Sequence, residues 1–352
     1  MLGAASGGRA SVTGPAAAPQ ASPGAPPRVV SYLRLSVTDR CNLRCVYCMP
    51  EAGVRTVPHA EILTFDEIIG ILEAVAPELG LRGIRVTGGE PLVRAGLVEL
   101  VRRLARLPGV DELSLTTNAL LLPRFAGELR AAGLARVNIS LDTLRPERYR
   151  AICRGGDLEA TLAGIRAAEE AGLVPLKINM VVIPGVNDDE VEEMARMTVA
   201  QPWHVRFIEF MPVGNARLQR ERRFIPSAQL RARIQARFGL EETPVAPAGR
   251  GPARYWRIPG AAGTVGFISP LSQHFCAGCN RIRLTADGWV RTCLLTDRIG
   301  VDVKAAWRSG VRGEGLVALF REAIRLKPAS HDLVPEGDGG AEFVRTMCQI
   351  GG

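Results

Sequence analysis

The chain has 352 residues, 47% of them hydrophobic and 23% charged, the balance of a soluble globular protein long enough for one large domain plus an appendage. No apolar run approaches the roughly 18 residues that span a bilayer, which argues against a membrane protein. The net charge of +8 is compatible with a polyanionic partner, but it is almost all arginine, scattered along the chain; Lys177, Lys304 and Lys327 are the lysines. Residues 1–29 are rich in Ala, Gly, Pro and Ser, lack the charged start and compact apolar stretch of a signal peptide, and read as a disordered leader. Six short β-rich runs follow: Tyr32–Val37, Gly83–Thr87, Glu112–Thr117, Arg136–Leu141, Leu176–Ile183 and His204–Phe210. Helical patterns lie between them at Phe65–Leu79, Leu97–Leu107, Leu158–Ala171 and Asp188–Val199, the last opening on the N-cap candidates Asn187-Asp188-Asp189. Repeated strand–helix alternation predicts a parallel α/β sheet, because parallel strands need crossovers. Periodicity leaves a doubly wound sheet and a partial barrel both open; either gathers ligands beyond the carboxyl ends of its strands.

After about Val213 the pattern changes. Gln219–Phe238 is basic and helical, Thr243–Pro259 reads as a connecting loop, and Val303–Ile324 reads as a helix. Arg281–Leu284 and Trp289–Cys293 flank Asp287-Gly288 and predict a β-hairpin. Met347–Gly352 reads as a small flexible tail.

Eight cysteines, clustered in a long chain with no signal peptide, point to metal binding in a reducing compartment rather than to disulfides. Cys41, Cys45 and Cys48 fall in the loop after the first strand, where a parallel α/β protein places its chemistry. Three thiolates from one loop leave one iron of a 4Fe–4S cluster without a protein ligand; a zinc knuckle completed by a residue such as His59 is the competing reading. Cys276 and Cys279 form a second group with Cys293, because pairing Leu284 with Val290 in the hairpin returns Cys293 to the side of Cys279. A redox pair or zinc ribbon is the alternative for that segment alone. Between these ligands, Arg281 and Arg283 project from one face of a strand, which suits a phosphate or a purine edge.

The Cys-x3-Cys-x2-Cys spacing, with Tyr47 before the last cysteine, resembles the signature of radical S-adenosylmethionine enzymes, and Gly88-Gly89-Glu90 at the end of the second strand agrees. With both cysteine groups, the segments 33–41, 207–212 and 267–283 and the final Gly351-Gly352 closely resemble the GTP 3′,8-cyclases of molybdenum cofactor biosynthesis. The resemblance implies an incomplete (β/α)6 barrel over residues 30–212, its open side covered by a C-terminal region, 213–352. It implies two 4Fe–4S clusters, one on Cys41, Cys45 and Cys48 that cleaves S-adenosylmethionine, the other on Cys276, Cys279 and Cys293 that binds guanine. In such enzymes a 5′-deoxyadenosyl radical takes hydrogen from C3′ of GTP, and the ribose carbon then attacks C8. Tyr47, Gly89, Ser140 and Met211 would contact S-adenosylmethionine. Arg34, Arg85, Thr116, Lys177, Arg281, Ile282 and Arg283 would contact GTP, with Lys177, Arg281 and Arg283 also assisting catalysis. The same resemblance implies that Gly351-Gly352 enters the site, that a flavodoxin- or ferredoxin-like protein donates electrons, and that a cyclic pyranopterin monophosphate synthase takes the product. A cytoplasmic monomer or homodimer, without membrane or nucleic-acid partners, is expected.

One departure stands out: Ala119 follows Asn118 where the family usually has Gly, and since Ala tolerates positive φ poorly, the turn is expected to differ slightly. Cys153 and Cys348 match no cluster position and read as packing or incidental thiols. A peptide-modifying relative would carry more auxiliary cysteines. A basic zinc protein binding RNA would be colourless, and aromatic residues at 5% disfavour base stacking. An inactive nucleotide-binding relative is disfavoured by two intact cysteine groups.

Overall fold

The computed structural model describes residues 29–211, 213, 224–243, 251–295, 299–331 and 345–351. Nearly all of the expected leader, the first part of the helix expected from Gln219 and the final Gly352 lie outside the described residues.

The six expected strands form and pair in chain order, all parallel: β1 (Tyr32–Ser36), β2 (Gly83–Thr87), β3 (Glu112–Thr117), β4 (Arg136–Ser140), β5 (Lys177–Val182) and β6 (His204–Glu209). Their side chains alternate with period two. Leu33, Leu35, Ile84, Val86, Leu115 and Ile178 face a continuous apolar core beneath the crossover helices, while Arg34, Arg85, Thr116, Asn179 and Arg206 face the interior. The helices are α1 (Phe65–Val75), α2 (Leu97–Leu104), α3 (Leu122–Ala131), α4 (Pro146–Cys153), α5 (Leu158–Glu170) and α6 (Val191–Ala200). Thr64 and Glu67 close a capping box on α1, and Asp157 caps α5. Helices α3 and α4 each carry proline in the first turn, where its missing N–H costs nothing. Neither was singled out by periodicity in the sequence. Asn187 makes no side-chain cap bond. Instead its Oδ1 accepts from Ile183 N (2.7 Å) and its Nδ2 donates to Asp142 O (2.8 Å), tying two loops together.

The C-terminal region enlarges the barrel rather than merely covering it. After α7 (Ser227–Phe238), β7 (Glu241–Glu242) and β8 (Arg254–Arg257), strand β9 (Thr264–Ile268) pairs parallel with β6. Strand β10 (Arg281–Leu284) pairs parallel with β1 at the opposite edge. The sheet therefore runs β12-β11-β10-β1-β2-β3-β4-β5-β6-β9-β8-β7, with β11 (Trp289–Arg291) and β12 (Gly300–Asp302) antiparallel at one end, and it does not close. This is the incomplete barrel expected, with the link from β9 to β10 crossing its open side. Within the expected loop Thr243–Pro259, Tyr255 and Trp256 supply the apolar content that makes β8 a strand. The expected helix Val303–Ile324 is two, α8 (Val303–Arg308) and α9 (Glu314–Arg325), divided where Gly310 and Gly313 take positive φ. The hairpin register is the one expected, Leu284 opposite Val290. The tail is ordered as α10 (Met347–Ile350), with a Thr346/Gln349 capping box, and Ile350 packs on Val213 and Leu295. Among the described residues no helix is long and apolar enough to cross a membrane.

Ala119 does adopt the left-handed backbone, at φ +67°, so the turn keeps the conformation that glycine favours. A left-handed non-glycine residue costs roughly 1–2 kcal/mol. Ala119→Gly is therefore expected to raise unfolding stability by about 1 kcal/mol, offset in part by chain entropy. An unchanged or lower urea midpoint would show that the buried Ala119 methyl, beside Gly164, matters more than backbone strain.

Candidate active site

The first cysteine loop is held from three sides. Val37 N donates to Thr87 O (2.9 Å), Gly89 N to Thr38 O (2.7 Å) and Glu90 N to Arg40 O (2.8 Å), so the ends of β1 and β2 continue as paired loops. A Cβ on Gly89 would lie 2.3 Å from Arg40 O, and one on Gly88 would lie 2.6 Å from Thr38 O. The two glycines thus admit the backbone of the cysteine loop. Behind the loop, α4 accepts Arg44 N at Cys153 O (2.9 Å) and Val46 N at Ile152 O (2.8 Å), fixing Cys45 between them. Asp39 Oδ2 accepts Val57 N at 2.6 Å.

Both cysteine groups open into one cavity of about 310 Å³, with Cys41, Cys45 and Cys48 at one side and Cys276, Cys279 and Cys293 at the other. All eight cysteines are free thiols. Burial pushes the Cys41 thiol up to about 12. Hydrogen bonds from Cys153 and Cys48 hold Cys45 well below the usual thiol range, and its partner Cys48 is raised in turn. Convergent, buried, mostly neutral thiols are a donor set that a thiophilic metal completes by displacing the protons. In the second group, burial opposes ionisation of Cys279 but Arg281 and Lys327 overcome it, bringing the thiol to about 7. Burial raises Cys276. Both sets fit a metal centre. His274, Cys276 and His331 also bring one ligand atom each within 4.8 Å of one another.

Cations dominate the interior. Register places Arg283, Arg34 and Arg85 side by side on β10, β1 and β2. Burial, then Arg283 and Arg85, press the Arg34 guanidinium well below its usual range. Tyr32 Oη donates to Glu112 Oε1 (3.1 Å), and Arg85 lies over its ring at 5.4 Å. Buried Thr116 Oγ1, Asn179 Oδ1 and Arg281 Nε have no hydrogen-bond partner among the described residues, and all three residues line the cavity. Such atoms are costly to bury unless a ligand pairs with them. Arg283 Nη1 donates to Gly351 O at 2.5 Å, bringing the tail to the cavity.

Tyr47, Gly89, Ser140 and Met211 line the cavity, as do Arg34, Arg85, Thr116, Arg281 and Arg283. Lys177 and Ile282 do not. Lys177 is buried at the start of β5, where burial and then Arg136, Arg206 and Arg85 lower it to about 6. Ile282 points into the apolar core. Several wall residues went unread in the sequence: Asn179 and Arg206 face inward by strand alternation, which would have found them. Asp142 joins Tyr47 Oη (2.7 Å) to Val181 N (2.8 Å). Cys153, read as a packing thiol, is packed in the core and also bonds Cys45.

The fold and site define a radical SAM protein. The Radical SAM superfamily model matches residues 35–198, and Molybdenum Cofactor Synthesis C matches 203–333. A GTP 3′,8-cyclase of Pelotomaculum thermopropionicum is 52% identical over 92% of this chain and 98% of its own. Another, from Heliobacterium modesticaldum, is 50% identical over the same shares. Among solved structures, Streptococcus suis SuiB bound to precursor peptide SuiA shares the fold at TM-score 0.56 and 13% identity, over 89% of this chain and 76% of that one. The chain belongs to the radical SAM superfamily and, within it, to the family of GTP 3′,8-cyclases.

Glu90 gives the site a pH signature. Burial raises its carboxyl from 4.5 to about 7, although Asn118 N, Leu92 N and Thr117 Oγ1 all donate to it. Since the folded value is the higher one, its contribution to stability is fully present below 4.5 and is lost as pH rises through 7. The stability of the iron-free wild type relative to Glu90→Gln is expected to fall by on the order of 3 kcal/mol across that window. Parallel denaturation curves at pH 5 and pH 8 would refute the buried-carboxyl account.

Proposed function

We propose that the chain converts GTP into (8S)-3′,8-cyclo-7,8-dihydroguanosine 5′-triphosphate, the first step of molybdenum cofactor biosynthesis, as a lyase using S-adenosylmethionine. The observation that carries this reading is the row of Arg283, Arg34 and Arg85 along the wall of the cavity that both cysteine groups also line. A triphosphate supplies the missing anions, and forked guanidinium donors match its oxygens.

Cys41, Cys45 and Cys48 would hold one 4Fe–4S cluster and Cys276, Cys279 and Cys293 a second. With S-adenosylmethionine bound, the first would supply the electron for reductive cleavage of the sulfonium, and with it radical chemistry able to act on a ribose hydrogen. Tyr47, oriented by Asp142, with Gly89, Ser140 and Met211, would bind S-adenosylmethionine at the first cysteine group. Arg34, Arg85, Thr116 and Arg281 would orient GTP, and Arg283 would hold it near the tail. Ile282 would offer only its backbone, and Lys177 would act from beneath the wall. The single cavity keeps both ligands within reach of each other and away from bulk water. We assign the six-stranded part of the barrel to a radical SAM unit, residues 30–212, and the two added parallel strands with the second cysteine group to a C-terminal region, 213–352. A reducing cytoplasm suits eight free thiols, and a flavodoxin- or ferredoxin-like donor and a downstream cyclic pyranopterin monophosphate synthase complete the scheme.

Anaerobic reconstitution with iron and sulfide, followed by S-adenosylmethionine, dithionite and GTP, tests the reading. Deoxyadenosine and a GTP isomer should form together, and both should vanish in Cys41→Ser and in Cys276→Ser. Deoxyadenosine without any change in GTP would remove the substrate assignment and leave the radical chemistry.

Lys177 adds a second expectation. Lowered to about 6, it is largely neutral at pH 8 in the free chain, and a nearby triphosphate favours its charged form. GTP binding at pH 8 should therefore take up a proton, visible as a dependence of calorimetric enthalpy on buffer ionisation. Affinity should weaken as pH rises above 6, and both effects should disappear in Lys177→Met. Binding without proton uptake in the wild type would place the phosphates away from Lys177.

A further inference from the structure

We propose that His274, Cys276 and His331 form a nitrogen–sulfur site for a single divalent transition-metal ion, filled when no cluster occupies Cys276, Cys279 and Cys293. One ligand atom from each of the three residues lies within 4.8 Å of the others, a spread that a metal ion can close with small side-chain movements, given metal–ligand bonds of about 2.0–2.3 Å. The two imidazoles are stacked, with centroids 4.1 Å apart and planes at 28°, so the exposed His274 ring must rotate for both in-plane lone pairs to meet one ion. His331 is buried, and its Nε2 lies 2.7 Å from Pro270 O. A carbonyl only accepts, so Nε2 carries the proton and Nδ1 of the neutral ring keeps the lone pair. A ring N–H on a backbone carbonyl is the outer-shell bond that orients metal-bound histidines. His274 is exposed and gives an ion a way in.

Two imidazoles and one thiolate suit zinc, cobalt or ferrous iron, with water in the fourth position. Cys276 belongs to both ligand sets, and its sulfur cannot point at both metals at once. Occupancy of the two sites is therefore exclusive, and zinc bound here blocks assembly at the second cysteine group. This exclusivity rests on the two-cluster reading above; the ion site does not.

The experiment takes the full chain carrying Cys41→Ser, Cys45→Ser and Cys48→Ser, so that the first thiol set binds no metal, strips it of iron with a chelator under anaerobic reducing conditions and titrates it with Co²⁺. One tetrahedral Co²⁺ with a sulfur-to-cobalt charge-transfer band is expected, displaced by Zn²⁺. Affinity should fall at least tenfold in His331→Ala, in His274→Ala and in Cys276→Ser, and should hold in Cys279→Ser and Cys293→Ser, with circular dichroism confirming the fold of each. If the bands survive both histidine changes, or vanish in Cys279→Ser, cobalt sits on the three thiolates and the proposal falls. It also falls if this serine-substituted chain is folded and binds no Co²⁺. Loading Zn²⁺ before reconstitution of the same serine-substituted chain should block most of its iron uptake, and should leave uptake unaffected when His331→Ala is added. Equal uptake in both would overturn exclusivity. None of these readouts requires GTP or S-adenosylmethionine, so they separate this site from the proposed reaction.

Discussion

Everything in this molecule depends on the period-two alternation of the parallel strands. The outward positions are Leu, Ile, Val and Phe, which bury against the helices and supply the hydrophobic stabilisation. That leaves the inward positions free of any duty to the core. They carry Arg34, Arg85, Arg136, Lys177 and Arg206, against which Glu112 is one carboxylate, ion-paired to Arg136. A closed small barrel would have to fill this interior with side chains. An open sheet keeps a cavity there, and the price in desolvated cations is tolerable because the outer face is so thoroughly apolar.

Above the strands, buried carboxylates do a second job. Loops at the carboxyl ends of strands leave backbone N–H groups away from water, and each must find an acceptor. Glu90 serves the loop after β3, Glu190 accepts Thr143 Oγ1 (2.5 Å) and Leu144 N (2.7 Å) after β4, and Asp142 binds Tyr47 and Val181. Glu209, at the end of β6, accepts Ser227 N (2.9 Å), Leu271 N (2.9 Å) and Ser272 N (3.0 Å). It therefore ties the start of α7 and the segment that carries the second cysteine group to the barrel. The loops around the cysteines are held in place by buried acids, of which Asp142 also lines the cavity.

Features fixed by local chemistry were legible in the sequence. The cysteine spacings, the six strands and the hairpin register follow from neighbours along the chain, and the return of Cys293 followed from one turn. Features fixed by distant partners were not. That β9 and β10 join the barrel at opposite edges depends on pairing with β6 and β1, which no local pattern announces. Gly89 was legible as a close approach, but what approaches is Arg40 O. Cys153 matched no spacing rule because its partner Cys45 is brought to it by α4. Asn179 and Arg206 were within reach of the same alternation that defined the strands, had polar inward residues been read as lining a cavity.

The tail closes the electrostatic argument. Arg283 is buried against Arg281 and Arg85 and is lowered to about 10, chiefly by burial. Its hydrogen bond to the carbonyl of Gly351 gives that cation a neutral acceptor. Gly351 can serve only because it lacks a side chain: a Cβ there would lie 2.8 Å from Ser36 Cβ, and its φ of +78° suits glycine. A carbonyl dipole satisfies a guanidinium less well than a phosphate oxygen does, since charge-assisted bonds are roughly twice as strong as neutral ones. The contact is thus strong enough to order the tail as α10 and weak enough to yield to an anion. Gly351 and the arginine row are thus coupled through Arg283.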